Sequence, residues 1–232
     1  MSADAPVATI DGPSGSGKGT VSRAVARHAG WHRLDSGALY RLVALDGSEQ
    51  GFEPDDVKSH AEAALGLDAR FDPRGERVLL HGRDVSERLR SETVGAGASR
   101  VAAWPEVRAA LLARQRGFAR PPGLVADGRD MGTVVFPGAE LKIFLTASAE
   151  ERARRRHKQL KGKGSDVSLA ALSRERAERD ARDSNRAVAP LKPASAAAVI
   201  DSTALTIEQV VDRVLALGAS RSLWPPVGPP PA

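Results

Sequence analysis

The segment VATIDGPSGSGKGT constrains this chain more than any other stretch of it. An apolar run, Val7 to Asp11, leads into Gly12, Pro13, Ser14, Gly15, Ser16, Gly17, Lys18, Gly19 and Thr20, after which helix formers begin. The spacing Gly12, Gly17, Lys18 fits G-x-x-x-x-G-K, a loop whose backbone N–H groups converge on phosphate oxygens at a helix N-terminus. Lys18 would then bridge the β- and γ-phosphates of a nucleotide. The next residue is Gly19, so the hydroxyl that usually meets Mg²⁺ is displaced to Thr20 and the ion is expected to be held mostly through water. An ordinary Gly/Ser turn would explain neither Lys18 nor the strand before it. A dinucleotide fingerprint read from Gly15 puts Thr20 where its third glycine must pack.

The same rhythm continues along the chain. Short apolar runs at Val7 to Asp11, His32 to Ser36, Gly123 to Asp127, Leu141 to Thr146 and Ala197 to Asp201 predict strands, and LKIFLT reads as buried on both faces. Helices are expected over Thr20 to Ala29, Pro105 to Arg120, Ala149 to Leu160, Leu169 to Arg182 and Thr206 to Leu217. Thr206 and Gln209 have capping-box spacing, Pro105 suits a first helical position, and Gly218 reads as a stop. The segment DGSEQG near Asp46 puts a longer helix there in doubt. Leu67 to Glu92 reads as a hairpin about a DPRGE turn followed by a helix start, which breaks the alternation and predicts an inserted subdomain. The expected organisation is a core over 1–66 and 93–218, an insert over 67–92, a lid over about 152–186, and a Pro-rich tail, 219–232, that is disordered, extended and outside the fold.

Composition narrows the function classes. The 232 residues suit one domain with an insertion, and the absence of Cys excludes disulfides, thiolate zinc sites and cysteine nucleophiles. No apolar stretch nears the ~18 residues of a membrane span, and Met1 to Pro6 does not resemble a secretory signal, so a soluble cytoplasmic protein is expected. The net charge of +5 is local: Glu151 to Lys192 carries 13 Lys or Arg against 6 Asp or Glu. Arg outnumbers Lys, and guanidinium forks match phosphate oxygens, although codon bias produces the same excess. Nucleic-acid binding through this patch would need aromatics or a recognisable module, and a guanine-reading switch would need N-K-x-D, whereas the only Asn is Asn185. His28 and His32 lack the Glu of a zinc-protease helix.

Two further constellations, DSGALYR (Asp35 to Arg41) and ADGRDMGT (Ala126 to Thr133), follow predicted strands, where open α/β sheets place ligands. Together GPSGSGKGT, DSGALYR, DGRDMGTVVFP, RDARDSNRAVAPL and IDSTALTIEQV resemble the bacterial cytidylate kinases over about residues 5 to 217. The resemblance implies a P-loop NTPase fold, α/β in three α/β/α layers, with a five-stranded parallel sheet, an inserted monophosphate-binding subdomain and a mobile lid. It implies γ-phosphoryl transfer from ATP to CMP or dCMP with Mg²⁺, in a monomer. A kinase for another pyrimidine, UMP, is the alternative.

By the same resemblance, the loop from Gly12 to Thr20 binds ATP, and Lys18, Arg129, Arg179 and Arg186 are catalytic. Ser36, Arg41, Arg129 and Arg186 would grip the acceptor phosphate, with Ser36 also a natural helix N-cap. Asp130, Ser99 and Arg108 are the candidates for reading cytosine. Asp183 would take a sugar hydroxyl or orient an Arg, the alternative being a surface ladder with Asp180 and Glu178. Arg152 to Lys163, with a flexible GKG, resembles the lid over ATP. Asp127 would order Mg²⁺ through water, or cap a turn.

Overall fold

The computed structural model describes residues 5–72, 77–162 and 167–225. These fall into two compact units, one of residues 5–34 with 118–225 and one of residues 35–117.

The larger unit is built on a five-stranded sheet. Its strands are β1 (Val7–Asp11), β2 (His32–Asp35, at the junction), β6 (Leu124–Gly128), β7 (Leu141–Thr146) and β8 (Ala198–Asp201), in the order β2-β6-β1-β7-β8. β1 is central and runs parallel to both neighbours, with Asp11 opposite Gly128 on one side and Phe144 on the other. Parallel strands need crossovers: α1 (Lys18–Ala29) makes the one from β1 to β2, α6 (Ala149–Lys161) and α7 (Leu169–Ser184) the one from β7 to β8, and α8 (Ile207–Ala219) follows the last strand. Every residue of β1 and β6 is buried, as strands inside a parallel sheet should be. β7 departs from the expectation of two buried faces: Leu141, Ile143 and Leu145 are buried, while Lys142, Phe144 and Thr146 are half-covered. One face of the sheet packs Ala8, Ile10, Ile143 and Leu145 against Val21 and Val25 of α1 and Val210 and Val214 of α8.

The smaller unit holds α2 (Ser36–Glu49), α3 (Val57–Leu65), a three-stranded antiparallel sheet of β3 (Ala69–Phe71), β4 (Val78–Leu80) and β5 (Arg83–Asp84), then α4 (Glu92–Val101) and α5 (Pro105–Arg116). The hairpin is present, but it belongs to a unit of residues 35–117 rather than standing as an insert of its own. Four residues of its expected turn, 73–76, lie outside the described residues.

Some helix ends follow their sequence signals and others do not. Thr206 and Gln209 form the capping box, and Pro105 opens α5 behind Trp104. α5 ends at Arg116, short of Arg120, because the chain turns at Gly117 ahead of Pro121 and Pro122. Ser36 does not cap α2. The cap is Asp35, whose side chain accepts the Ala38 N–H at 3.1 Å, and Ser36 is the buried first helical residue. α2 also runs unbroken through DGSE, because Gly47 leaves room for the His60 ring: a Cβ there would lie 2.5 Å from Nε2.

Gly218 is not a stop, and the tail is not wholly outside the fold. α8 passes through Gly218 to Ala219, and a Cβ at Gly218 would lie 1.8 Å from Cζ2 of Trp224. Trp224 turns back onto the helix, 5% exposed, meets Trp31 edge-on at 5.3 Å between ring centroids, and donates its indole N–H to Leu215 O at 2.9 Å. An amphipathic indole gains more from that groove than the prolines beside it gain from staying extended. The remainder of the expected tail, 226–232, lies outside the described residues, as do Lys163 and Gly164 of the expected GKG segment.

Candidate active site

In the larger unit the loop after β1 has the geometry of an anion cradle. Gly12 has φ of +153°, and a Cβ on it would lie 2.0 Å from Leu145 O, so no side chain fits where the loop leaves the strand. Gly17, at φ +95°, caps α1 without any side-chain bond, which leaves the first-turn N–H groups facing the loop. Lys18 opens the helix, is largely buried, and donates from Nζ to Pro13 O at 3.0 Å across the loop. Ser16 Oγ is buried with no hydrogen-bond partner among the described residues, while Thr20 is exposed.

Guanidinium groups from the two helices of the expected lid dock on this loop. Arg152 of α6, 4% exposed, donates to Ser14 O at 3.0 Å and pairs with Asp180 of α7 at 2.5 Å. Arg176 of α7 reaches Ser14 Oγ at 2.7 Å, and Arg155 of α6 donates to the Ser202 carbonyl at 2.6 Å. Residue type alone hinted at this basic wall, but which arginines meet the loop depends on helix phase.

The segment after β6 supplies the second group of charges. Arg129 donates from Nε to Asp183 Oδ2 at 2.9 Å, and Arg186 donates to the other oxygen of the same carboxylate. Asp183 is 1% exposed, so the surface ladder is excluded, while the neighbouring Arg182 is exposed. Burial pushes the Asp183 carboxyl up, but the Arg129 and Arg186 guanidiniums, helped by Arg179, outweigh it and hold it below the usual carboxylate range. Asp130 is buried, and its carbonyl accepts the Val134 and Val135 N–H groups of a wide turn, Met131–Val135.

Asp127 is a strand residue rather than a turn cap. Its Oδ2 accepts from Ser22 Oγ at 2.6 Å and from Arg33 at 2.9 Å, and Arg33 Nε also reaches Ser22. Arg33 and Ser22 carried no motif signal, since each sits inside an element whose pattern is otherwise apolar or helical. Asp11 was likewise passed over as the end of a strand.

In the smaller unit Ser36 is buried and Arg41 donates to Leu89 O. Ser99 Oγ is buried with no hydrogen-bond partner among the described residues. Arg108 is largely buried, donates to Ala102 O at 3.3 Å, and lies 5.9 Å from the centroid of the Tyr40 ring. An unpartnered buried hydroxyl is costly to fold unless something polar completes it.

Among the described residues no group of three or more His, Asp or Glu side chains could cage a metal, and no helix is long and apolar enough to cross a membrane. The chemistry available is anion binding by backbone N–H groups and by arginines held in place by carboxylates.

Comparison with known proteins gives that chemistry a family. A gluconokinase structure from Sinorhizobium meliloti 1021 aligns over 95% of this chain and 94% of its own at 19% identity and a TM-score of 0.46, too low a similarity to bear on the reaction. Sequence relatives are much nearer. The cytidylate kinase of Pseudomonas entomophila (strain L48) is 59% identical over 96% of this chain and all of its own length, and that of Marinomonas sp. (strain MWYL1) is 58% identical over 94% of this chain and 97% of its own. The family model described as cytidylate kinase matches residues 8–219, a span that contains the phosphate loop, the Arg129 to Asp183 pairing and the buried Ser99 and Arg108, and so the chain belongs to the cytidylate kinase family.

Proposed function

We propose that the protein transfers the γ-phosphoryl group of ATP to CMP or dCMP, forming ADP with CDP or dCDP. The observation that carries this reading is a family match that spans both compact units, together with relatives of the same name that align along nearly their whole length.

The residues present suit such a transfer. The acceptor is a phosphate oxygen already ionised at neutral pH, so no general base is required, and the work falls on positive charge arranged before the reaction begins. On this reading the N–H groups of Gly12 to Thr20 hold the donor phosphates, and Lys18 exchanges its loop carbonyl for phosphate oxygens. Arg129, Arg179 and Arg186 neutralise charge on the transferring group, with Asp183 fixing two of them. Ser36 and Arg41 hold the acceptor phosphate with Arg129 and Arg186. Asp130, Ser99 and Arg108 read the cytosine edge, with N4 donating to an acceptor and N3 or O2 accepting from a guanidinium.

Mg²⁺ would arrive with ATP and offset charge on its β- and γ-phosphates. Gly19 offers no hydroxyl, and Asp127 already accepts from Ser22 and Arg33, so the donor set fits an ion held by phosphates and water, with Thr20 and Asp127 at most in its outer sphere. The protein is proposed to act as a soluble cytoplasmic monomer. Steady-state ADP formation with CMP and dCMP tests the reading: turnover on both supports it, and none on either would end it.

A further inference from the structure

Asp11 is a buried ionisable group to which the reaction described above gives no role. It closes β1 immediately before Gly12, is 2% exposed, and forms no salt bridge among the described residues. Its Oδ1 accepts the Met131 N–H and its Oδ2 the Gly132 N–H, each at 2.8 Å. Those two amides open the turn Met131–Val135, where the first N–H groups have no partner within the turn itself.

The other side of the same segment is also tied down. The Asp130 carbonyl accepts from Val134 and Val135, and the Met131 carbonyl accepts from Phe136. A backbone held from both sides cannot rotate its peptides independently, so the directions in which Arg129 and Asp130 leave the chain follow from where Asp11 stands. Gly132 is cut to the same fit: a Cβ on it would lie 2.9 Å from Thr9 Oγ1 and 3.4 Å from Asp11 Oδ2.

A buried carboxylate is an expensive way to end a strand. Burial pushes the Asp11 carboxyl up to about 7, against the pull of the Gly132 and Met131 N–H groups and of Lys18, with Asp130 adding to the rise. An apolar residue would cost less there, but it would leave two buried N–H groups unsatisfied and the turn without an anchor to the strand that carries the phosphate loop.

We propose that Asp11 is a positioning residue for phosphoryl transfer, a two-oxygen clamp on the Met131 and Gly132 amides that ties the segment bearing Arg129 and Asp130 to the strand end from which the donor loop springs. It touches neither nucleotide. Its effect is to make placement of the acceptor-side charges depend on β1.

The inference rests on the kinase reading, so its test carries one arm that does not. Asp11→Asn keeps one acceptor but turns an amide N–H₂ toward one of the two backbone donors. Gly132→Ala strains the same clamp from the opposite side and serves if the first variant folds poorly. Amide hydrogen exchange at Met131 and Gly132 reads the clamp directly, and both amides should exchange roughly 10- to 100-fold faster in Asp11→Asn, the loss expected for a hydrogen bond to a charged group. In the same variant kcat/KM for CMP should fall by a similar roughly 10- to 100-fold, while the Kd for ATP without acceptor stays within about 3-fold. The double variant should be little worse than the worse single, because both break one interaction.

Unchanged exchange at the two amides would overturn the clamp. Faster exchange with unchanged CMP kinetics, or equal losses for ATP and CMP, would overturn the positioning role. A wild-type protein with no CMP turnover would instead remove the kinase reading, and the exchange result would still decide whether the clamp exists.

Discussion

Asp183→Asn is the substitution that probes structure and reaction together. The native carboxylate is almost wholly buried and accepts from Arg129 on one oxygen and Arg186 on the other. The amide preserves shape but removes the charge, leaving two guanidiniums in a poorly solvated place with one good acceptor between them. Removing one partner of a buried ion pair costs about 3–5 kcal/mol, and the retained oxygen puts this variant near the lower end. For a chain of this size about 3 kcal/mol lowers Tm by roughly 6–12 °C. The pH dependence follows from the depressed carboxyl: its stabilisation is present above the unfolded carboxylate value and is lost as pH falls through the lower folded value. Calorimetry should therefore find a gap between wild type and variant that is constant from about pH 7.5 to 5 and closes only in stronger acid. KM for CMP should rise by roughly 10-fold as Arg129 and Arg186 lose their common anchor. A Tm within about 2 °C of wild type across that range, with CMP kinetics intact, would refute the idea that this carboxylate organises the arginines.

Three other perturbations separate the parts of the account. Lys18→Ala should lower kcat by at least about 100-fold with a circular dichroism spectrum unchanged, since the lysine donates to a carbonyl of its own loop, Pro13 O; near-normal turnover would misplace the donor site. Asp130→Ala should raise KM for CMP several-fold more than KM for ATP, and equal rises in the two Michaelis constants would remove Asp130 as a reader of the base. Trp224→Ala should cost about 3–5 kcal/mol through the lost indole packing, visible as a reduced denaturation midpoint with kcat preserved; an unchanged midpoint would mean the indole contributes nothing where it packs on Gly218.

What could be foreseen from the chain was what depends on local pattern. The apolar run before the phosphate loop, the parallel strands and the capping box at Thr206 each follow from the chemistry of a few neighbouring residues. A glycine in a helix reads as a breaker, whereas Gly218 and Gly47 leave the space that Trp224 and His60 fill. Ser36 reads as a natural cap, yet Asp35 beside it makes the cap; both residue types cap well and only backbone geometry separates them. Which groups the acidic residues hold was the least visible part of the candidate site. Asp183 holds Arg129 from 54 positions away and Asp11 holds Met131 from 120, so the first pairing exists only once α7 lies against the end of β6 and the second only once β1 and β6 lie side by side. The family motifs pointed to the arginines and to Asp183 as a group that could orient one, whereas the contact of Asp11 with the Met131 and Gly132 amides exists only in the folded chain.

The most direct test of the central claim is ADP formation from Mg·ATP with CMP, dCMP, UMP, AMP and GMP supplied one at a time, beside a control without acceptor. The account predicts fast turnover on CMP and dCMP, slow turnover on UMP, none on the purines and none without acceptor. ADP released without an acceptor, or at equal rates with all five, would contradict it.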